Sequence, residues 1–188
     1  MSAGDGFERE LKFPGVELDR LRDRLSELEA ERTGPGALED NLVFDRRGEL
    51  EAERCILRLR RDAKGAKLTF KGPPRFEGRT KVRVEHESGV DDPEAMRALF
   101  ESLGYQVVRR YQKMRESWRL GGVTIALDHT PIGDFAEFEG DGAEKVARRC
   151  DLDPAAAERR SYLRLYADHL EAHPDAPPDM VFGDRNER

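Results

Sequence analysis

Long apolar runs are missing from this sequence. No stretch approaches the roughly 20 apolar residues that a membrane-spanning helix needs, and residues 1–6 are small and polar, not a basic start followed by an apolar run. Cysteine is nearly as scarce: Cys55 and Cys150 are the only two. A lone, distant pair in a chain without an export signal reads as two reduced thiols, not a disulfide. Too few Cys or His residues cluster to suggest a zinc site. Positive charge is not in excess either. With 33 Lys and Arg against 39 Asp and Glu, the net charge is −6, which excludes a broadly basic nucleic-acid surface. The expectation is a soluble, cytoplasmic protein with neither nucleic acid nor membrane as partner.

Charge of both signs is what the chain has in plenty. Charged residues make up 38% and hydrophobic ones 37%, polar for a globular protein yet too apolar for a disordered one. Its 188 residues suit a single domain. A strand is expected over 7–13, stopped by Pro14-Gly15, then a helix over 17–31 with Leu18, Leu21, Leu25 and Leu28 on one stripe. Thr33-Gly34-Pro35-Gly36 reads as a break and 42–44 as a short strand. Further strands are expected over 53–61, 66–71, 79–87, 106–120, 123–128 and 135–139. Asp92-Pro93 opens a helix ending at Gly104, and 143–150 and 155–172 read as helical. Residues 1–172 then form one β-rich domain with helices outside, and 173–188, with Pro174, Pro177 and Pro178, a flexible, non-catalytic tail.

Side chains alternate faces along a strand, and on these strands the charges fall on one face. Glu8, Glu10 and Lys12 oppose Leu11 and Phe13; Arg58 and Arg60 oppose Leu57 and Leu59; Lys67, Thr69 and Lys71 oppose Leu68 and Phe70. Arg79, Lys81, Arg83, Glu85 and Glu87 form a run of five opposed by Val82 and Val84. Tyr111, Lys113 and Arg115 lie opposite Met114 and Trp118, Asp128 opposite Ile125 and Leu127, and Glu137 and Glu139 opposite Phe138. A wet outer sheet face explains any one such strand. It does not explain the set, because the helices carry apolar stripes that need a sheet face to cover. The charged faces must then meet inside a closed or nearly closed antiparallel barrel, an α+β fold whose interior has to pair its charges or hold ligands.

A triphosphate is a flexible polyanion that needs several Lys and Arg donors along its length. A hard cation such as Mg²⁺ needs carboxylate oxygens and bridges protein to phosphate. Glu8/Glu10 and Glu137/Glu139 each put two carboxylates on one face, and Arg58/Arg60, Lys71, Lys81/Arg83 and Lys113/Arg115 are their cationic counterpart.

Glu8-Arg9-Glu10-Leu11-Lys12 resembles the Glu-x-Glu-x-Lys signature of the CYTH superfamily, the triphosphate tunnel metalloenzymes. Leu57-Arg58-Leu59-Arg60, Thr69-Phe70-Lys71-Gly72, Arg83-Val84-Glu85-His86-Glu87 and Lys113-Met114-Arg115 follow in the same order. After them come Leu127-Asp128, the run Ile132-Gly133-Asp134-Phe135-Ala136-Glu137-Phe138-Glu139, and a late Ser161-Tyr162. The resemblance spans 7 to about 170 and implies a tunnel of about eight antiparallel strands. It implies that Glu8, Glu10, Glu139 and either Asp128 or Glu137 bind Mg²⁺ or Mn²⁺. Lys12, Arg58, Arg60, Lys71, Arg83, Lys113 and Arg115 would grip phosphates, with Lys81 among the same cations. Lys12 would also act in catalysis, and Glu85 and Glu87 would hold a second metal or orient the attacking water.

Members of that superfamily hydrolyse triphosphates or, as class IV adenylyl cyclases, make cyclic AMP and pyrophosphate from ATP. Cyclase members resemble one another in a His-Phe shortly before the signature, and residues 2–7 hold no His. Thiamine triphosphate would need aromatic stacking partners, and the only Trp, Trp118, falls on the outer face by parity. The expectation is hydrolysis of tripolyphosphate, with ATP and thiamine triphosphate as other candidates. A cyclase and a non-catalytic triphosphate or polyphosphate binder are the alternatives; monomer and homodimer both stay open. His86 points outward by parity and His129 starts a turn, so neither is expected to be catalytic. The resemblance suggests Tyr162 at the tunnel mouth, whereas its helical spacing with Leu163 and Tyr166 favours simple core.

Overall fold

The computed structural model describes residues 6–183. Nine strands form one antiparallel sheet: β1 (Phe7–Pro14), β2 (Glu31–Asp45), β3 (Ile56–Asp62), β4 (Gly65–Lys71), β5 (Arg75–Glu77), β6 (Thr80–Val90), β7 (Gln106–Leu120), β8 (Val123–Thr130) and β9 (Gly133–Glu139). Their order is β1-β9-β8-β7-β2-β3-β4-β6, and β1 pairs back onto β6, which closes eight strands into a barrel. The short β5 is an extra strand on the edge of β6. Five helices accompany them: α1 (Leu18–Glu27), α2 (Glu49–Ala52), α3 (Pro93–Ser102), α4 (Ala143–Arg149) and α5 (Tyr162–Ala172). No helix among the described residues is long and apolar enough to cross a membrane.

The period-2 pattern decides which face goes where. Leu11, Phe13, Ile125, Leu127 and Phe138 turn outward and are buried under Leu21 and Leu25 of α1 and Val146 of α4. The Phe13 and Phe138 rings meet edge-on at 5.7 Å. Trp118 joins this outer core at 8% exposure. A second cluster joins Tyr111, Phe135, Tyr162 and Tyr166 at the end of the barrel that α5 covers.

Several expectations are corrected. Residues 33–36 do not end a secondary-structure element but lie within the fifteen-residue strand β2. Register shifts at Arg32/Gly34 and Gly34/Ala37 absorb the glycines and Pro35 as bulges. The helix expected over 17–31 stops at Glu27, and α2 displaces the start of the strand expected at 53 to Ile56. The helix expected over 155–172 is a 3₁₀ turn, Pro154–Ala156, then an extended stretch, then α5. In that stretch Glu158 bridges Lys12, donating its N–H to the Lys12 carbonyl at 2.7 Å, and Ser161 caps α5. The loose tail expected over 173–188 is tied down where it is described: Met180 is 1% exposed and bridges Tyr111, exchanging backbone bonds with Arg110 and Gln112. Residues 184–188 of that call, and residues 2–5 of the stretch without histidine, lie outside the described residues.

Candidate active site

The inward face of the barrel encloses a cavity of about 220 Å³ whose walls are mostly charged. β1 supplies Glu8, Glu10 and Lys12; β3 supplies Arg58 and Arg60; β4 supplies Lys71. Lys81, Arg83, Glu85 and Glu87 come from β6, Lys113 and Arg115 from β7, and Glu137 and Glu139 from β9. The alternation read from the sequence therefore brings these fourteen predicted residues to one cavity. Lys12 and Lys113 are only 3% and 2% exposed; such ammonium groups stay buried only if paired.

The pairing is dense. Lys71 Nζ bridges Glu8 at 2.6 Å and Glu85 at 2.7 Å, and Lys81 Nζ meets Glu10 at 2.7 Å. Lys12 Nζ lies 3.2 Å from Glu137, 3.7 Å from Glu10 and 4.0 Å from the centre of the Tyr162 ring. Arg60 reaches Glu39 and Glu87 at 3.4 Å each. Arg58 donates to the Tyr111 hydroxyl and to Thr69, both at 3.2 Å. Arg83 spends its guanidinium on the backbone carbonyls of Gly72 and Lys71 and so braces the turn between β4 and β5.

Asp128 is the predicted residue that does not join the wall. Fully buried, it accepts from Lys113 Nζ at 3.0 Å, Arg115 Nε at 2.7 Å and Nη2 at 2.5 Å, and the Tyr162 hydroxyl at 2.7 Å. These donors make it a holder of Lys113 and Arg115. His86 and His129 are both exposed, and His129 pairs with Asp134 on the surface.

The acids differ sharply in proton affinity. Burial pushes the Glu8 carboxyl up to about 7, helped by the negative charges of Glu10 and Glu85 and opposed by Lys71. For Glu10 burial acts the same way, but Lys81, Lys12 and Lys71 outweigh it and hold the group at about 2. Glu85 is likewise held low: Lys71 overcomes its burial.

A hard divalent cation is the group the wall would suit, since its donors are all oxygen. Among the described residues no three His, Cys, Asp or Glu side chains stand close enough together to hold an ion in this conformation, because the Lys71 and Lys81 ammonium groups lie between the acids. One feature nevertheless fits. Glu8 Oε2 is buried with no hydrogen-bond partner, and Glu10 stands directly across from Glu139 on the neighbouring strand. Glu8, Glu10 and Glu139 are the carboxylates that could hold a metal here.

The CYTH domain signature matches residues 6–151, which takes in every strand of the barrel. The chain belongs to the CYTH family. A protein of Methanocaldococcus jannaschii named "Putative adenylate cyclase" is 32% identical over 122 residues, 58% of this chain and 69% of that one. A Vibrio parahaemolyticus structure, also described as a "putative adenylate cyclase", superposes with a TM-score of 0.77 at 23% identity, over 87% of this chain and 99% of that chain. A Hippeastrum protein described as a "putative adenylyl cyclase" with a dominant triphosphatase activity superposes with a TM-score of 0.64 at 17% identity, over 86% and 96% of the two chains. These last two likenesses show the fold.

Tyr111 and Tyr162 line the cavity of this CYTH barrel beside the charged residues, and Glu39 stands behind its wall against three of the cations. Tyr162 faces the cavity at the mouth that α5 covers, so the simple-core reading is corrected. Tyr111 lines the wall and stacks on Tyr162, their ring centres 6.5 Å apart. Glu39 is 6% exposed beside Arg60, Lys113 and Arg115. Only recognition of 31–45 as one strand could have revealed Glu39, since the inward parity of Glu39, Asn41 and Val43 then follows.

Glu39 also sets an acid limb. Burial would raise its pKa, but Lys113, Arg115 and Arg60 hold it at about 2, below its ordinary 4.5. A carboxylate depressed in the folded state adds stability that is present above 4.5 and lost as the pH falls toward 2. Glu39→Gln is expected to flatten the fall of urea stability over that window. An acid limb as steep as wild type would show that Glu39 carries none of it.

Proposed function

We propose that this CYTH protein hydrolyses inorganic tripolyphosphate to pyrophosphate and orthophosphate, with Mg²⁺ or Mn²⁺ as its metal. The observation that carries this reading is the character of the cavity. At about 220 Å³ it falls below the roughly 300–1,000 Å³ usual for drug-sized ligands, and charged groups from six of the eight barrel strands line it. No free aromatic slot for a base stands among the described lining residues. Tyr111 and Tyr162 stack on each other, their hydroxyls are bound to Arg58 and Asp128, and Lys12 covers the Tyr162 ring.

In this reading Lys12, Lys113 and Arg115 grip one end of the phosphate chain, and Arg58, Arg60, Lys71 and Lys81 the rest, with Arg83 bracing the turn beside them. Phosphoryl transfer is mostly positioning and charge stabilisation, which is what a set of ammonium and guanidinium groups prearranged by buried acids supplies. Glu8, Glu10 and Glu139 hold the metal; Glu137 is engaged by Lys12 and Arg115 and orients them. A bound Mg²⁺ or Mn²⁺ would neutralise phosphate-oxygen charge and orient the chain for in-line attack. Glu85 and Glu87 are both held below the ordinary carboxylate range, burial being outweighed by Lys71 for Glu85 and by Lys67 and Arg60 for Glu87. They are therefore suited to orienting a water through its hydrogens, more than to keeping its proton.

The second reading, an adenylyl cyclase, is favoured by the name of the M. jannaschii relative. Incubation with tripolyphosphate, ATP and thiamine triphosphate, each with Mg²⁺ or Mn²⁺, separates the two. Orthophosphate with pyrophosphate from tripolyphosphate is expected. Cyclic AMP with pyrophosphate from ATP would replace the hydrolase by the cyclase, and tight metal-dependent binding without turnover would make the protein a triphosphate binder.

A further inference from the structure

Glu39 is a buried acid that the reaction as described does not use. Its Oε1 accepts from Arg60 at 3.4 Å. Its Oε2 has no hydrogen bond yet faces Lys113 Nζ at 3.6 Å and Arg115 Nε at 4.0 Å. Arg60 is otherwise paired with Asp62 and Glu87, whereas Lys113 and Arg115 are otherwise paired with Asp128 and Glu137. Glu39 is thus the one acid among the described residues that is paired with all three cations. It sits on β2, between their strands β3 and β7.

The distances matter. Asp128 clamps Lys113 and Arg115 at 2.5–3.0 Å, a hydrogen-bonded lock. Glu39 stands at 3.4–4.0 Å, close enough for strong Coulomb attraction where water is excluded, too far to fix the donors. The N–H groups of these cations that Asp128 and Glu137 do not hold can turn to another anion while the charges stay drawn together. A phosphate oxygen approaching Lys113 and Arg115 would meet the partners that the unbonded Oε2 now faces.

We propose that Glu39 is a positioning residue: an internal counter-anion that holds Arg60, Lys113 and Arg115 in the arrangement a phosphate chain needs. The inference rests on the tripolyphosphate reading above. Glu39 competes weakly with the substrate in the ground state and secures the geometry that the transition state requires, so its charge acts on binding and on turnover in opposite senses.

Glu39→Gln keeps the shape and deletes the charge. With one competing anion gone, KM and the calorimetric Kd for tripolyphosphate with Mg²⁺ are expected to fall about threefold or more. With the cations no longer drawn together, kcat is expected to fall about tenfold or more. Glu39→Asp, whose carboxylate is drawn back by one methylene, should lie between wild type and Glu39→Gln in both constants. A Glu that only supports the wall would lower the Tm and leave kcat and KM alone. Unchanged constants in Glu39→Gln, or a raised KM at unchanged kcat, overturn the proposal. Should Glu39→Gln not fold, Glu39→Asp decides: lowered kcat with lowered KM supports the role, and wild-type constants overturn it. Wild-type protein that does not turn over tripolyphosphate removes the functional reading and the role of Glu39 with it; turnover with Glu39→Gln unaffected removes the role of Glu39 alone.

Discussion

Replacing Lys12 with alanine is expected to lower tripolyphosphate turnover by about 10²–10³-fold, the usual cost of deleting one preorganised donor aimed at developing charge, while the barrel stays folded. Lys12 is placed with unusual care for a lysine. Its ammonium is held by Glu137 at 3.2 Å and Glu10 at 3.7 Å and lies over the face of Tyr162 at 4.0 Å. Its backbone carbonyl is pinned by the N–H of Glu158. A flexible four-carbon stem is thereby confined to one direction, which is the entropy that positioning has to remove before the reaction starts. The fold should survive because no acid is stranded: Glu10 keeps Lys81 at 2.7 Å, and Glu137 keeps Arg115. Phosphate release measured beside a thermal melt tests both halves. Turnover close to wild type would take Lys12 out of the site, and a collapsed melt would make it a structural residue.

The barrel interior was legible in the sequence because strand parity is a hard constraint. Glu8, Glu10 and Lys12 cannot face inward unless Leu11 and Phe13 face outward, and the Leu stripe of α1 then has a surface to cover. β2 was lost because Thr33-Gly34-Pro35-Gly36 carries every local sign of a break. Its bulges are fixed by pairing with β7, more than seventy residues away in sequence, which no window of a few residues reports. Glu39 was lost with it. Asp128 was placed on the correct face, but parity does not say what an inward acid meets. Its three partners come from β7 and α5, and only tertiary contact reveals that it pairs with them. Tyr162 shows the same gap in reverse: helical spacing sees a ring beside other apolar residues and cannot see the lysines beneath it.

Asp128→Ala is expected to produce the largest loss of stability of any single change in the tunnel, about 3–5 kcal/mol, or a Tm lower by roughly 6–20 °C for a chain of this size. The reason is what stays behind. Lys113, 2% exposed, loses its shortest partner and the inner end of Arg115 loses a two-point one, both while still buried, and the Tyr162 hydroxyl loses its acceptor. Glu137 and Glu39 remain within 4.0 Å of both cations, which keeps the loss finite and should let the variant fold at low temperature. Tyr162→Phe removes a single bond to a charged acceptor and should cost about 1.5–3 kcal/mol alone. In the double variant the two costs should not add, since both delete the same Tyr162–Asp128 bond. Urea melts of the two single variants and the double variant measure the coupling directly. Full additivity would mean that the Tyr162 hydroxyl serves some other group, and the link between α5 and the cations of β7 would be broken. Sub-additivity together with a kcat lowered in both single variants would show that the helix covering the tunnel mouth and the cations inside it are held through one buried carboxylate.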